Sequence, residues 1–227
     1  MIEHHIDIET NDGTMATFIS HPDADGPYPV VLFLMDAPGK REELHDMARR
    51  ISATGYYVML PNLYYREVRS FTLHREDPAS AEYMFKLMSN LRNDMVARDA
   101  KKMIAYADAD VVADASRIGV TGYCMSGPFA LWLSAEFPDV IKSAASIHGV
   151  RLAVDAEDSP HSRAAEMVGE ILVMAAEYDD YVDRAHYDRL VAALDAVGTN
   201  AHCEWVEGAH HGFVFPCRSK FNKKAAE

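Results

Sequence analysis

Cysteine is scarce in this chain, with three residues among 227, at positions 124, 203 and 217. An odd number so widely spaced does not make a disulfide framework, which excludes a small fold held by disulfides. Basic residues are in deficit as well: 22 Lys and Arg against 35 Asp and Glu leave a net charge of −13. That balance argues against nucleic acid and against an anionic membrane surface as partners. It leaves a small substrate open, because the field inside a pocket can differ in sign from the total. Long apolar runs are missing too, and none approaches the length needed to span a bilayer. The start, Met1-Ile-Glu-His-His-Ile-Asp7, lacks a basic region followed by an apolar one, so no secretory signal is expected. A cytoplasmic setting, in which a free thiol survives, is the expectation. There is no internal repeat, low-complexity tract or linker.

What is present is a core. A hydrophobic content of 49% over 227 residues fits one globular domain spanning 1–227. Two strand-like segments, near 4–9 and 14–20, are joined by Asn11-Asp12-Gly13, a hairpin turn signal. Apolar runs at 29–35 and 56–60 read as strands buried on both faces, the second stopped by Pro61. Between them, 41–53 carries helical spacing (Leu44, Met47, Ala48, Ile51), closed by Gly55. Residues 78–107 read as helix, broken once. A strand at 117–121 is followed by a helix to about 136, and apolar strands follow at 143–147 and 171–176. A helix at 182–197, capped by Gly198, and a strand at 201–206 close the pattern. Strands alternating with helices predict an α/β fold: a doubly wound, mostly parallel central sheet with helices on both faces. The long polar stretches 62–77 and 150–168 are expected as lids or pocket walls.

The most informative run is Ile118-Gly-Val-Thr-Gly-Tyr-Cys-Met-Ser-Gly127. A β-branched strand is cut by Gly122, and a helical pattern begins at once near Gly127, with Cys124 at the tip. Small residues stand two before it (Gly122) and two after it (Ser126). This is the frame of a nucleophile elbow, where a strained turn brings backbone against backbone and leaves no room for bulky side chains. Ser126 competes as nucleophile, but centring the frame on it puts Pro128 just inside the turn. A cysteine at a helix N-terminus has its thiolate favoured by the helix dipole.

Such a nucleophile needs a base and a group to orient the base, drawn from just past the ends of later strands. Asp179 and Asp180 follow the strand that ends near Ala176; either could instead cap the next helix. Glu177 is a third candidate. His210 and His211 stand in Glu207-Gly-Ala-His-His-Gly-Phe213, about five residues beyond the last strand, where glycines permit a tight loop. His148, at the end of the 143–147 strand, reads either as core or as lining the same pocket and touching substrate. The paired histidines invite a metal reading, but no further ligand stands at suitable spacing, so neither metal nor cofactor is expected.

Together these residues resemble the dienelactone hydrolase family of α/β-hydrolases over most of the chain. The resemblance rests on Gly-Tyr-Cys-Met-Ser-Gly at 122–127, Asp-Asp-Tyr-Val at 179–182, Gly-Ala-His-His-Gly-Phe at 208–213 and Leu-Pro-Asn-Leu-Tyr-Tyr-Arg at 60–66. It implies Cys124, Asp179 and His211 as the catalytic set, selecting Asp179 over Asp180 and His211 over His210. It further implies the backbone N–H groups of Ala37 and Met125 as an oxyanion hole. Asp36 falls where the family usually has a glutamate that contacts the resting thiol. Tyr64 and Arg66 join His148 as expected substrate-binding residues. The family's substrate-holding arginines are not both matched: Phe215 stands where one is expected, the nearest arginine is Arg218, and the other falls around Arg75. The chain also ends soon after the histidine, leaving little room for the family's closing helix.

The expected activity is hydrolysis of a small ester or lactone through a thiol acyl-enzyme, in a monomer or homodimer. The partner is a small-molecule substrate, with no nucleic acid and no membrane. Two other readings of the same residues are a non-catalytic small-molecule-binding protein on this fold and a redox-sensing thiol.

Overall fold

The computed structural model describes residues 1–24 and 26–227. The chain builds an eight-stranded, mostly parallel sheet with helices, and by contacts it falls into two compact units, Met1–Gly119 and Val120–Glu227. The first opens with the expected hairpin: β1 (Ile2–Thr10) and β2 (Gly13–His21) pair antiparallel, Thr10 opposite Gly13. Gly13 takes φ +132, a conformation L side chains rarely adopt. β3 (Tyr28–Leu34) and β4 (Tyr57–Pro61) are apolar because both of their faces are covered; they pair parallel, and β2 joins β4 antiparallel. Between them α1 (Glu42–Ser52) buries Leu44, Ala48 and Ser52. It carries acids in its first turn and arginines in its last, both favoured by the helix dipole. The expected break in the 78–107 helix divides α2 (Pro78–Ser89), capped by Asp77, from α3 (Asn93–Asp108).

β5 (Ala113–Tyr123) leads into the second unit and starts four residues earlier than its apolar pattern suggested. A 3₁₀ turn (Cys124–Ser126) and α4 (Gly127–Glu136) follow. α4 is apolar on every side and buried almost throughout, as a central helix must be. Burying Phe129, Leu131 and Leu133 contributes roughly 1.5–3 kcal/mol each. β6 (Ile141–Ile147), β7 (Glu170–Tyr178) and β8 (Ala201–His210) are parallel neighbours, with α5 (Arg184–Ala196) between β7 and β8 and one further turn, α6 (Lys223–Ala226). The 150–168 stretch is not an open lid: Leu152, Ala153, Ser159, Ala164 and Met167 are buried, and 160–166 forms a 3₁₀ segment.

Candidate active site

The elbow forms because Gly122 and Gly127 let three backbones crowd together. A Cβ on Gly122 would lie 2.1 Å from the Ser126 carbonyl oxygen, and one on Gly127 would lie 2.4 Å from the Gly149 Cα. Cys124 sits at the turn with φ 53, left-handed backbone that costs an ordinary residue about 1–2 kcal/mol. Its thiol is half-buried. The Ser126 hydroxyl accepts a hydrogen bond from the Tyr123 N–H at 2.9 Å and donates to the Tyr123 carbonyl at 3.2 Å. Ser126 is thus a buried brace of the turn. Met125 follows the strained residue directly and is buried.

Asp179 and His211 follow the ends of neighbouring strands. β8 extends to His210, longer than expected, so His211 is the first residue past the strand and not one out in a loop. Between the pairs Ala176↔Val206 and Tyr178↔His210, β8 spends two more residues than β7, a bulge in which Gly208 takes φ +72. The Glu177 carboxylate accepts from the Gly208 N–H at 2.7 Å, so this acid shapes the bulge. His210 pairs with Tyr178 at the strand end, their rings 4.9 Å apart. Asp179 has a side chain 1% exposed: Oδ2 accepts from His211 Nδ1 at 2.7 Å, and Oδ1 accepts from the Tyr181 N–H at 2.9 Å. A carboxylate can only accept here, so Nδ1 carries the proton and Nε2 is left for the sulfur. Asp180 is exposed, and the cap of α5 is Asp183, which accepts from the His186 N–H at 2.8 Å.

Burial alone would push His211 toward the neutral form. The hydrogen bond to Asp179, the Cys124 sulfur nearby and the charges of both outweigh it and raise the imidazole to about 9. Nε2 is buried with no hydrogen-bond partner among the described residues, and the nearby sulfur favours the protonated ring. Burial, then the Asp195 charge, pushes the Cys203 thiol up to about 11. Cys203 is therefore protonated and inert near neutral pH.

His148 is buried, with its ring 4.7 Å from that of His211, edge to face, and close to Phe213 and Phe215. Burial first, then the charges of His211 and Arg218, hold it well below the ordinary histidine range, so it is neutral. Neither of its nitrogens has a hydrogen-bond partner among the described residues. Tyr181 was not anticipated as a site residue, although it lies within the Asp-Asp-Tyr-Val motif. It is exposed, its ring is 4.8 Å from His211, and its phenol is raised by burial and by the Cys124 charge. Arg218 returns beside the histidine, with Nη1 2.7 Å from where a Cβ on Gly212 would stand and its guanidinium over Phe215.

In the first unit Ala37 is buried, and its carbonyl accepts from the Tyr64 hydroxyl at 2.8 Å. Asp36 is fully buried and bonded to Arg41 at 2.5 Å; Arg41 also holds Glu43 and the Gly39 carbonyl. Arg66 grips the buried Asp99 with two nitrogens at 2.8 and 2.9 Å and reaches Asp12 at 2.8 Å. Tyr64 thus holds the Ala37 carbonyl, and Arg66 holds the buried charge of Asp99. Among the described residues no three His, Cys, Asp or Glu side chains are grouped to hold a metal ion, and no helix is long and apolar enough to cross a membrane.

Comparison with known proteins bears on the family and the fold. The model of the dienelactone hydrolase family matches residues 15–227. A provisionally named carboxymethylenebutenolidase of Methylorubrum extorquens is 26% identical over 231 residues, covering 100% of this chain and 77% of the relative. One of Synechocystis, named likewise, is 26% identical and covers 93% of this chain and 86% of its own. Among solved structures, a provisionally named dienelactone hydrolase of Klebsiella pneumoniae superposes with a TM-score of 0.87 at 24% identity, covering 99% of this chain and 93% of that one. A dienelactone hydrolase-like promiscuous phosphotriesterase from metagenomic libraries superposes at 0.81 with 15% identity, over 99% and 92%. At these identities the superpositions speak for the fold alone.

Proposed function

The chain belongs to the dienelactone hydrolase family and is an ester or lactone hydrolase, and we propose that it works through a thiol acyl-enzyme formed on Cys124. The observation that carries this reading is the imidazole of His211, bonded to buried Asp179 and raised to about 9 in part by the Cys124 sulfur. A ring protonated at neutral pH balances a thiolate. Cys124 attacks the carbonyl carbon, and the Met125 N–H, with the Ala37 N–H carried over from the family pattern, takes the oxyanion. Each such donor typically contributes a few kcal/mol. His211 gives its proton to the departing oxygen, the C–O bond breaks, and a thioester remains. The now neutral ring takes a proton from water, which attacks the thioester; the thiolate leaves and the ion pair is restored. Asp36, paired with Arg41, is carried over from the family pattern as the acid that contacts the resting thiol.

Thiolates leave more readily than alkoxides, so a thiol enzyme gains when the leaving oxygen is stabilised. An enol lactone, which departs as an enolate, meets that need better than an alkyl ester. The relatives' name, carboxymethylenebutenolidase, points to the same substrate class. The test is turnover of a p-nitrophenyl ester and a dienelactone panel before and after iodoacetamide, with the label located by mass spectrometry. Loss of turnover in proportion to labelling of Cys124 supports the reading. Full turnover by protein labelled at Cys124 overturns it.

A further inference from the structure

One short segment, 148–153, touches both halves of the reacting pair. The Val150 N–H donates to the Cys124 carbonyl at 3.1 Å, and the His148 ring lies against His211 at 4.7 Å. The same segment holds two residues in left-handed backbone, His148 at φ 40 and Arg151 at φ 56. Strain of that kind, about 1–3 kcal/mol per residue, persists only where surrounding contacts over-determine it. The near end follows β6 directly and is fixed to β7, where the His148 N–H donates to the Met174 carbonyl at 2.7 Å. At the far end Leu152 and Ala153 are buried, and buried N–H groups need acceptors. Both find the same one: Nε2 of His186, in the first turn of α5, at 3.0 and 3.1 Å.

A ring nitrogen that accepts two N–H groups must be unprotonated, because an imidazolium has no acceptor. We propose that His186 is a positioning residue: its neutral imidazole pins the strained segment His148–Ala153, and through it the alignment of Cys124 with His211, and its protonation releases them. Around the ring, Asp183 and Asp179 favour a proton while His161 and Arg189 oppose it. Burial, the largest influence, also opposes it and holds the ring below its ordinary range. His161 is itself tied to the loop, with Nδ1 2.8 Å from the Ser159 hydroxyl that accepts from the Val154 N–H at 3.0 Å. Arg189 holds Asp155 at 2.5 Å. The Leu152 carbonyl accepts from the His161 N–H at 3.1 Å and from the Ser159 hydroxyl at 3.4 Å, whereas the N–H groups of Leu152 and Ala153 are both held by His186.

The proposal rests on the thiol-hydrolase reading for its effect on rate, but the pin can be read without it. Amide hydrogen exchange at Leu152 and Ala153, corrected for intrinsic rates, is measured between pH 7.5 and 5 in the wild type, His186→Gln and His186→Ala. Ester turnover is followed alongside. Wild type is expected to lose protection at these two amides, and turnover, as the pH falls. H186Q offers an amide oxygen that does not titrate, so it keeps both at pH 5. H186A loses protection at every pH and about tenfold or more in kcat, the kinetic weight of one or two hydrogen bonds. The proposal is overturned if H186A matches the wild type in protection and rate, if H186Q behaves as H186A, or if H186Q keeps the wild-type acid loss. Should H186A fail to fold, the wild type and H186Q decide; should no ester be turned over, exchange still decides the pin.

Discussion

Replacing Asp179 with Asn removes the charge that orients His211 while changing almost no volume. The bond is short, 2.7 Å, between side chains 1% and 12% exposed, so solvent screens it little. A charged hydrogen bond in such a place typically contributes about 1.5–3 kcal/mol. The imidazole supports that size: its rise from 6.5 to about 9 corresponds to roughly 3 kcal/mol, which Asp179 shares with Cys124. Losing the Asp179 share is expected to lower kcat by about 10- to 100-fold. It also changes stability with pH. Because the folded ring binds its proton more tightly than the unfolded one, its contribution is complete below about pH 6.5 and is lost as the pH rises through about 9. Histidines held below their ordinary range, such as His148 and His186, act in the opposite sense, so the informative quantity is the difference between variant and wild type. Urea unfolding at pH 6 and pH 9 should show the wild-type advantage over D179N shrinking between the two. NMR titration should place the variant's His211 well below 9. A D179N protein whose His211 still titrates near 9, with an unchanged stability difference, refutes the reasoning.

Gly122→Ala puts a Cβ 2.1 Å from the Ser126 carbonyl, and backbone cannot yield as a side-chain tip can. Thermal unfolding should show at least a few kcal/mol of destabilisation or failure to fold. Ser126→Ala removes the brace on Tyr123 and should lower stability by about 1 kcal/mol in urea while leaving a Cys124 acyl-enzyme able to form; complete loss of turnover in a folded S126A would make the serine the nucleophile. Arg66→Met strands the buried Asp99 carboxylate and should cost roughly 3–5 kcal/mol of stability with KM unchanged. A KM rise without destabilisation would return Arg66 to the substrate.

The elbow was legible because its geometry is local: glycine, cysteine and glycine within six residues leave few backbones able to satisfy them. The buried strands were legible for the same reason, since a run apolar on every position needs cover on both faces. What the sequence hid lies between distant residues. Nothing near 66 announces that its charge belongs to Asp99, and nothing near 41 announces Asp36. The last strand ran to His210 because a bulge at Gly208, held by Glu177, carries it past the point where its apolar alternation stops. Tyr181 stood inside a motif already singled out, but its contact with His211 depends on how β7 and β8 meet. The loop at 150–168 looked polar and open, yet its backbone is tied down by His186 and Ser159 and its Asp155 side chain by Arg189, contacts that no local spacing reveals.

The proposed thioester route requires that the sulfur of Cys124 carry the acyl group. Acid quenching during turnover of an activated ester, followed by peptide mass mapping, should find the acyl mass on the peptide bearing Cys124, lost on raising the pH with hydroxylamine and absent in Cys124→Ala. Acylation of Ser126 or of another residue, or turnover by Cys124→Ala at the wild-type rate, contradicts it.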